Sequence, residues 1–80
     1  MPTTSPHAKE PSLVAFGAAV RLSRLQKQIS QEQLAHLCEV DRSYLGAIER
    51  GEQNSGLLHL VKIAYALKTS VAELMSNAGL

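Results

Sequence analysis

From Leu13 onward, apolar residues recur at three- and four-residue spacings, and no stretch alternates with the period of two that marks a half-buried strand. Phe16 and Val20 fall on one helical face, and Leu34, Leu37 and Cys38 on another. Leu45 and Ile48, then Leu57, Leu60, Ile63, Ala64 and Leu67, then Val71, Leu74 and Met75 continue the pattern. Polar punctuation separates these stripes. Ser30-Gln31-Glu32-Gln33 and Ser70-Val71-Ala72-Glu73 each set a hydroxyl three residues ahead of a Gln or Glu, the arrangement of a reciprocal helix cap. Asp41 can cap a third helix, Gly56 or Ser55 can start a fourth, and Ser12 can cap the first. The pattern predicts five helices, over 13–27, 31–38, 42–50, 57–67 and 71–77. Each is too short to stand alone in water, so an all-α, compact five-helix domain with one shared core is expected.

Residues 1–11 lack the period and hold all three prolines of the chain, which predicts a disordered N-terminal arm before a domain over 12–80. Eighty residues leave room for one core. Aromatic residues make up only 4%, so Leu, Ile, Val and Ala must fill that core. A single Cys rules out the internal disulfide framework of a small secreted domain. With no signal-like start and no apolar run near the roughly 18–20 residues of a membrane span, the expectation is a cytoplasmic protein with no membrane partner.

The net charge of +1 lacks the bulk basicity of a histone-like protein, so any nucleic-acid binding must come from a local arrangement. His36 and Cys38 are two ligands without the further pair that a tetrahedral metal site needs, and His7 and His59 have no matching spacing. No nucleophile–base arrangement and no Gly-rich phosphate loop is legible. Neither an enzyme, a metal, a cofactor nor a small-molecule ligand is expected.

The second and third predicted helices are separated only by Glu39-Val40-Asp41, with the small Ala35 where the third must cross closely and Val40 as an apolar anchor. Such spacing is that of a helix-turn-helix. The residue string goes further. Ser30-Gln31-Glu32-Gln33-Leu34-Ala35, Val40, Arg42-Ser43-Tyr44-Leu45-Gly46 and Ile48-Glu49-Arg50-Gly51 resemble the repressor family of phage Cro and lambda-type regulators. Asn54, Ile63-Ala64, Ala66-Leu67 and Ser70-Val71-Ala72-Glu73-Leu74 extend the likeness over roughly Phe16 to Met75. Asp41-Arg42-Ser43-Tyr44 and Ile48-Glu49-Arg50-Gly51 followed by Asn54 look most like the small controller proteins of restriction–modification systems.

This resemblance implies a sequence-specific transcription regulator of double-stranded DNA, and it implies sites. Gln31 would meet a phosphate at the start of the second helix. Arg42, Ser43 and Ala47 would occupy the base-reading face, with Arg42 forking onto a guanine and Ala47 touching a thymine methyl. Tyr44, Arg50 and Asn54 would contact backbone or flanking bases, although Tyr44 reads almost as well as a half-buried core residue. Arg24 and Glu49 would form a structural salt bridge. The chain departs from the family at three helix ends, where Gln28, Glu39 and Lys68 replace the usual Gly, and at Ser23, where many relatives have Leu. Leu22 and Leu25 put apolar surface elsewhere on the first helix, as scattered leucines or a further contact.

One domain of this size gathers few DNA contacts, so a homodimer on a palindromic operator is expected, reading two major-groove faces about 34 Å apart. The fifth helix and the end of the fourth, with Leu74, Met75 and Leu80, are its expected interface. The competing reading is an antitoxin-like or adaptor helical module with a protein partner, against which the polar face of the third helix argues.

Overall fold

Five helices form where the apolar stripes predict them. The computed structural model describes residues 8–80, which fold as α1 (Pro11–Gln26), α2 (Gln31–Cys38), α3 (Arg42–Glu49), α4 (Leu57–Ala66) and α5 (Val71–Asn77). No strand occurs among the described residues. The first helix starts two residues before its predicted boundary because Pro11 suits a first turn: its missing N–H would have been unpaired there and its φ is already helical. Glu10 therefore takes the cap position, without a side-chain bond, and the expected cap Ser12 lies inside the helix.

Most of the expected disordered arm, residues 1–7, lies outside the described residues. Its end is anchored. The Lys9 N–H donates to the Gly51 carbonyl at 2.6 Å, and the Lys9 ammonium donates to the Arg50 carbonyl at 2.9 Å. This tether holds Lys9 at φ 67°, a left-handed conformation that a lysine does not favour.

The Ser30 cap is reciprocal: its Oγ accepts from the Gln33 N–H at 3.0 Å, and Gln33 Oε1 accepts from the Ser30 N–H at 2.7 Å. At α5 only half of the expected box forms. Ser70 Oγ accepts from the Glu73 N–H, while the Glu73 carboxylate turns to the Thr69 hydroxyl. Asp41 holds the cap position of α3 without a side-chain bond.

All five helices end in the same motif. An N–H five residues on donates back to the last turn: Ile29 to Arg24, Val40 to Ala35, Glu52 to Ala47, Thr69 to Ala64 and Leu80 to Met75. The residue just before each of these donors is left-handed: Gln28 at 59°, Glu39 at 61°, Gly51 at 76°, Lys68 at 58° and Gly79 at 77°. The three departures from Gly thus keep the glycine backbone and carry a Cβ penalty of about 1–2 kcal/mol each. Ile29 and Val40, next in the chain, pack against the core and offset part of it.

Val20, Leu34, Leu45, Ile63, Leu67, Leu74 and Cys38 are fully buried in a core joined by Phe16, Ala35, Ile48 and Ala64. Burial pushes the Cys38 thiol up, only partly opposed by the charge of Lys62. Two residues assigned to core stripes, Leu37 and Leu57, are instead exposed, because each lies at the rim of its stripe and no element covers it. One close approach sets the relation of α1 to α3. A Cβ on Gly17 would lie 2.3 Å from the Ile48 carbonyl oxygen, so only glycine lets the two backbones meet.

Candidate nucleic-acid interface

Helices α2 and α3 are joined by a left-handed Glu39, with Val40 turned into the core. Because α3 packs against both α1 and α2, Leu45, Gly46, Ala47, Ile48 and Glu49 are all buried. Its exposed groups are concentrated at the ends: Arg42 and Ser43 in the first turn and Arg50 just past the last.

A chain of polar contacts ties the base of this unit to its surface. Arg24 Nε donates to Glu49 Oε2 at 2.7 Å and Arg24 Nη2 to Glu49 Oε1 at 3.1 Å, a two-point pairing. The side chains are only 9% and 1% exposed. The third donor used, Arg24 Nη1, reaches the Ile29 carbonyl at 3.0 Å. Gln31 Nε2 donates to Glu49 Oε1 at 2.9 Å, and Arg42 Nη1 donates to Gln31 Oε1 at 3.3 Å. The buried pair thus fixes Gln31, and Gln31 orients the Arg42 head group at the surface.

Arg50 folds back over Gly46: a Cβ there would lie 3.1 Å from Arg50 Nη1 and 3.5 Å from Gln31 Oε1. A larger residue would displace one of them. Two guanidinium groups and an amide therefore converge along one edge of the helix pair. Their character suits anions and base acceptors.

The helix-turn-helix family model matches residues 20–74. A control protein (C.SmaI) from Serratia marcescens is 44% identical over 61 residues, covering 76% of this chain and 73% of the relative. Among solved structures, the restriction–modification controller protein C.AhdI from Aeromonas hydrophila aligns at 47% identity and TM-score 0.76, over 78% of this chain and 94% of its own. The clp gene regulator ClgR from Corynebacterium glutamicum aligns at 32% identity and TM-score 0.84, over 85% and 87%. The chain belongs to the helix-turn-helix family. Within it, the match is to controller proteins of restriction–modification systems.

For this helix-turn-helix chain the structure sorts the expected site residues. Arg42 and Ser43 are exposed on the first turn of α3, and Arg50 and Asn54 are exposed beyond its end. Asn54 lies beside Glu10, Ser12 and Leu13 at the start of α1. Gln31 stands at the first position of α2, but its side chain is engaged by Glu49 and Arg42. Arg24 and Glu49 pair as expected.

Two expectations need correction. Ala47 is 1% exposed, so its methyl cannot reach a base; helical spacing from Arg42 carries it past the surface face onto the packed side. Leu74 is also 1% exposed and belongs to the core, since α5 packs against α1 and α4. Met75 is partly buried against the same core, which leaves Leu80 as the one exposed residue of the three named for the interface. Tyr44 takes its half-buried core reading. Its ring packs on the core, edge-on to His59 at 5.3 Å, and its hydroxyl meets Ser55 Oγ at 3.1 Å and His59 Nδ1 at 3.5 Å.

Three contributors to this edge were missed: Gly46, Glu52 and Lys9. Gly46 carried a signal, being a glycine within a predicted helix. Glu52 and Lys9 carried none, because 43 residues separate them in the chain although their side chains lie 3.5 Å apart.

Proposed function

We propose that this protein is a controller-type transcription regulator that binds a two-fold-symmetric DNA operator as a homodimer, in the cytoplasm of a bacterium. The observation that carries this reading is the concentration of exposed polar groups on α3: Arg42 and Ser43 protrude from its first turn while its middle is buried. Only such an end can enter a major groove without unpacking the domain. Arg42 reads a guanine through its O6 and N7, and Ser43 a neighbouring base edge. The free N–H groups at the start of α2 meet a phosphate, with Gln31 holding Arg42 in place rather than reaching outward itself. Arg50 and Asn54 contact the flanking backbone.

Of the expected dimer surface, α5 drops out and the outer face of α4 carries the dimerisation. Leu57, Leu58, Val61 and Tyr65 are exposed on that helix, a stripe about 12 Å long. Its neighbouring cation, Lys62, is turned to Glu39 at 3.6 Å. An apolar strip of this kind matches a second copy of itself about a two-fold axis.

The test is selection from a random duplex library, followed by sedimentation of the protein with and without the enriched site. Enrichment of a palindrome bound by two protomers is expected. Failure to enrich any sequence, with capture of a protein partner instead, would favour the adaptor reading.

A further inference from the structure

Glu52 sits in the turn after α3 and bridges two cations that come from opposite ends of the described chain's first two-thirds. Its Oε1 lies 3.1 Å from Arg50 Nη2, and its Oε2 lies 3.5 Å from Lys9 Nζ. Both cationic side chains are about half exposed, at 52% and 59%, and the Arg50 head group lies over Gly46 beside Gln31. A carboxylate is therefore stationed at the edge where DNA phosphates would approach, where it repels them. A purely cohesive role does not require this placement, since the Lys9 N–H and the Lys9 bond to the Arg50 carbonyl already anchor the segment.

We propose that Glu52 is a positioning residue for DNA discrimination: beside the Lys9 that the Arg50 carbonyl anchors, it holds the Arg50 guanidinium in an intramolecular ion cluster and withholds it from the phosphates of unmatched DNA. On a matched site the docked α3 brings phosphates close enough to compete for Arg50, and the cluster opens. On unmatched DNA this close docking is absent and the cluster stays shut. The hydrogen bond from Arg50, aided by the charges of Arg50 and Lys9, holds the Glu52 carboxyl below its ordinary value, so it stays ionised through the neutral range. The proposal rests on the DNA-binding reading and adds to it an internal competitor.

The experiment titrates parent, E52Q, E52D, R50Q and the E52Q/R50Q double variant against two duplexes over a range of salt. One duplex carries the sequence that the parent enriches from a random library; the other is a scrambled version of equal length. E52Q is expected to bind the scrambled duplex roughly three- to tenfold more tightly, with a salt slope steeper by about 1 per protomer. The enriched duplex gains less, so the ratio of the two affinities falls. E52D keeps the carboxylate and restores most of the parent's ratio, while the R50Q background at least halves the effect of E52Q. Unchanged scrambled-duplex affinity and slope in E52Q would overturn the proposal. So would an equal effect of E52Q with and without Arg50, which would be mere removal of a negative charge. A parent that enriches no sequence overturns the DNA-binding reading itself. Glu52 lies at the surface, and matching thermal melts of parent and E52Q separate these results from loss of fold.

Discussion

Arg42 is distinguished from the other cations by position and by preparation. It stands on the first turn of α3, and the Gln31 amide fixes one of its nitrogens at 3.3 Å. Arg42→Ala is expected to lose about 1–3 kcal/mol of specific binding and to relax one base position per half-site. Repeating the selection with the variant checks this: an unchanged consensus would remove Arg42 from the reading face. Lys68 tests a different kind of residue. Its φ of 58° places a Cβ in the left-handed region, far from α3 in the sequence. Lys68→Gly relieves about 1–2 kcal/mol there, against a loss of roughly 0.4–1 kcal/mol through a looser unfolded chain. The lysine's favourable charge near the end of α4 subtracts a few tenths more. Denaturant melts should therefore show Lys68→Gly neutral to slightly stabilised and Lys68→Val, with its β-branch, clearly destabilised. Both residues were singled out through the family resemblance, Arg42 at a position matched to base reading and Lys68 by standing where relatives have Gly. Ala47 was misread because one residue of helical rotation separates a base-facing position from a packed one, and short helices leave few neighbours to fix that angle.

At the level of elements, the buried Arg24–Glu49 pair joins the end of α3 to α1, and Gln31 brings α2 into the same network. Removing Glu49 strands a guanidinium in a site with only the Ile29 carbonyl left to accept from it. Glu49→Ala is expected to cost about 3–5 kcal/mol, a large share of the stability of so small a domain. Chemical denaturation checks this, and a variant that melts like the parent would mean the pair contributes nothing. The helix ends follow a single rule. Each returns through a left-handed residue, and the chain supplies glycine at Gly51 and Gly79 but not at Gln28, Glu39 or Lys68. At Gly51 no alternative exists, because a Cβ would lie 2.7 Å from the Val14 backbone; solvent-facing Glu39 and Lys68 meet only the local penalty.

At the scale of the whole molecule, burial of Leu74 and exposure of Leu58 and Tyr65 at 78% and 84% narrow the expected dimer surface, α5 with the end of α4, to the outer face of α4. Tyr65→Glu is expected to keep the protomer fold, since the side chain touches little of the core, and to give monomers with weakened operator binding. Sedimentation alongside a thermal melt checks both halves. An unchanged dimer would shift the interface to another apolar surface, with the exposed Leu22 and Leu25 on α1 next in line.

Through the family resemblance the sequence named the partners Arg24 and Glu49, 25 residues apart; by itself it determined the number, type and order of the helices and the turn between α2 and α3. These depend on local capping chemistry, on a 3.6-residue period and on motifs whose members lie close in the chain. Tertiary structure decided which side of each stripe is covered. Leu57 and Leu74 belong to equally apolar patterns, yet one faces solvent and the other is sealed beneath α1 and α4, since burial depends on what packs opposite. It also decided the ion cluster of Lys9, Arg50 and Glu52: no local pattern couples residues 9 and 52, and only the docking of α1 against the end of α3 brings their charges together.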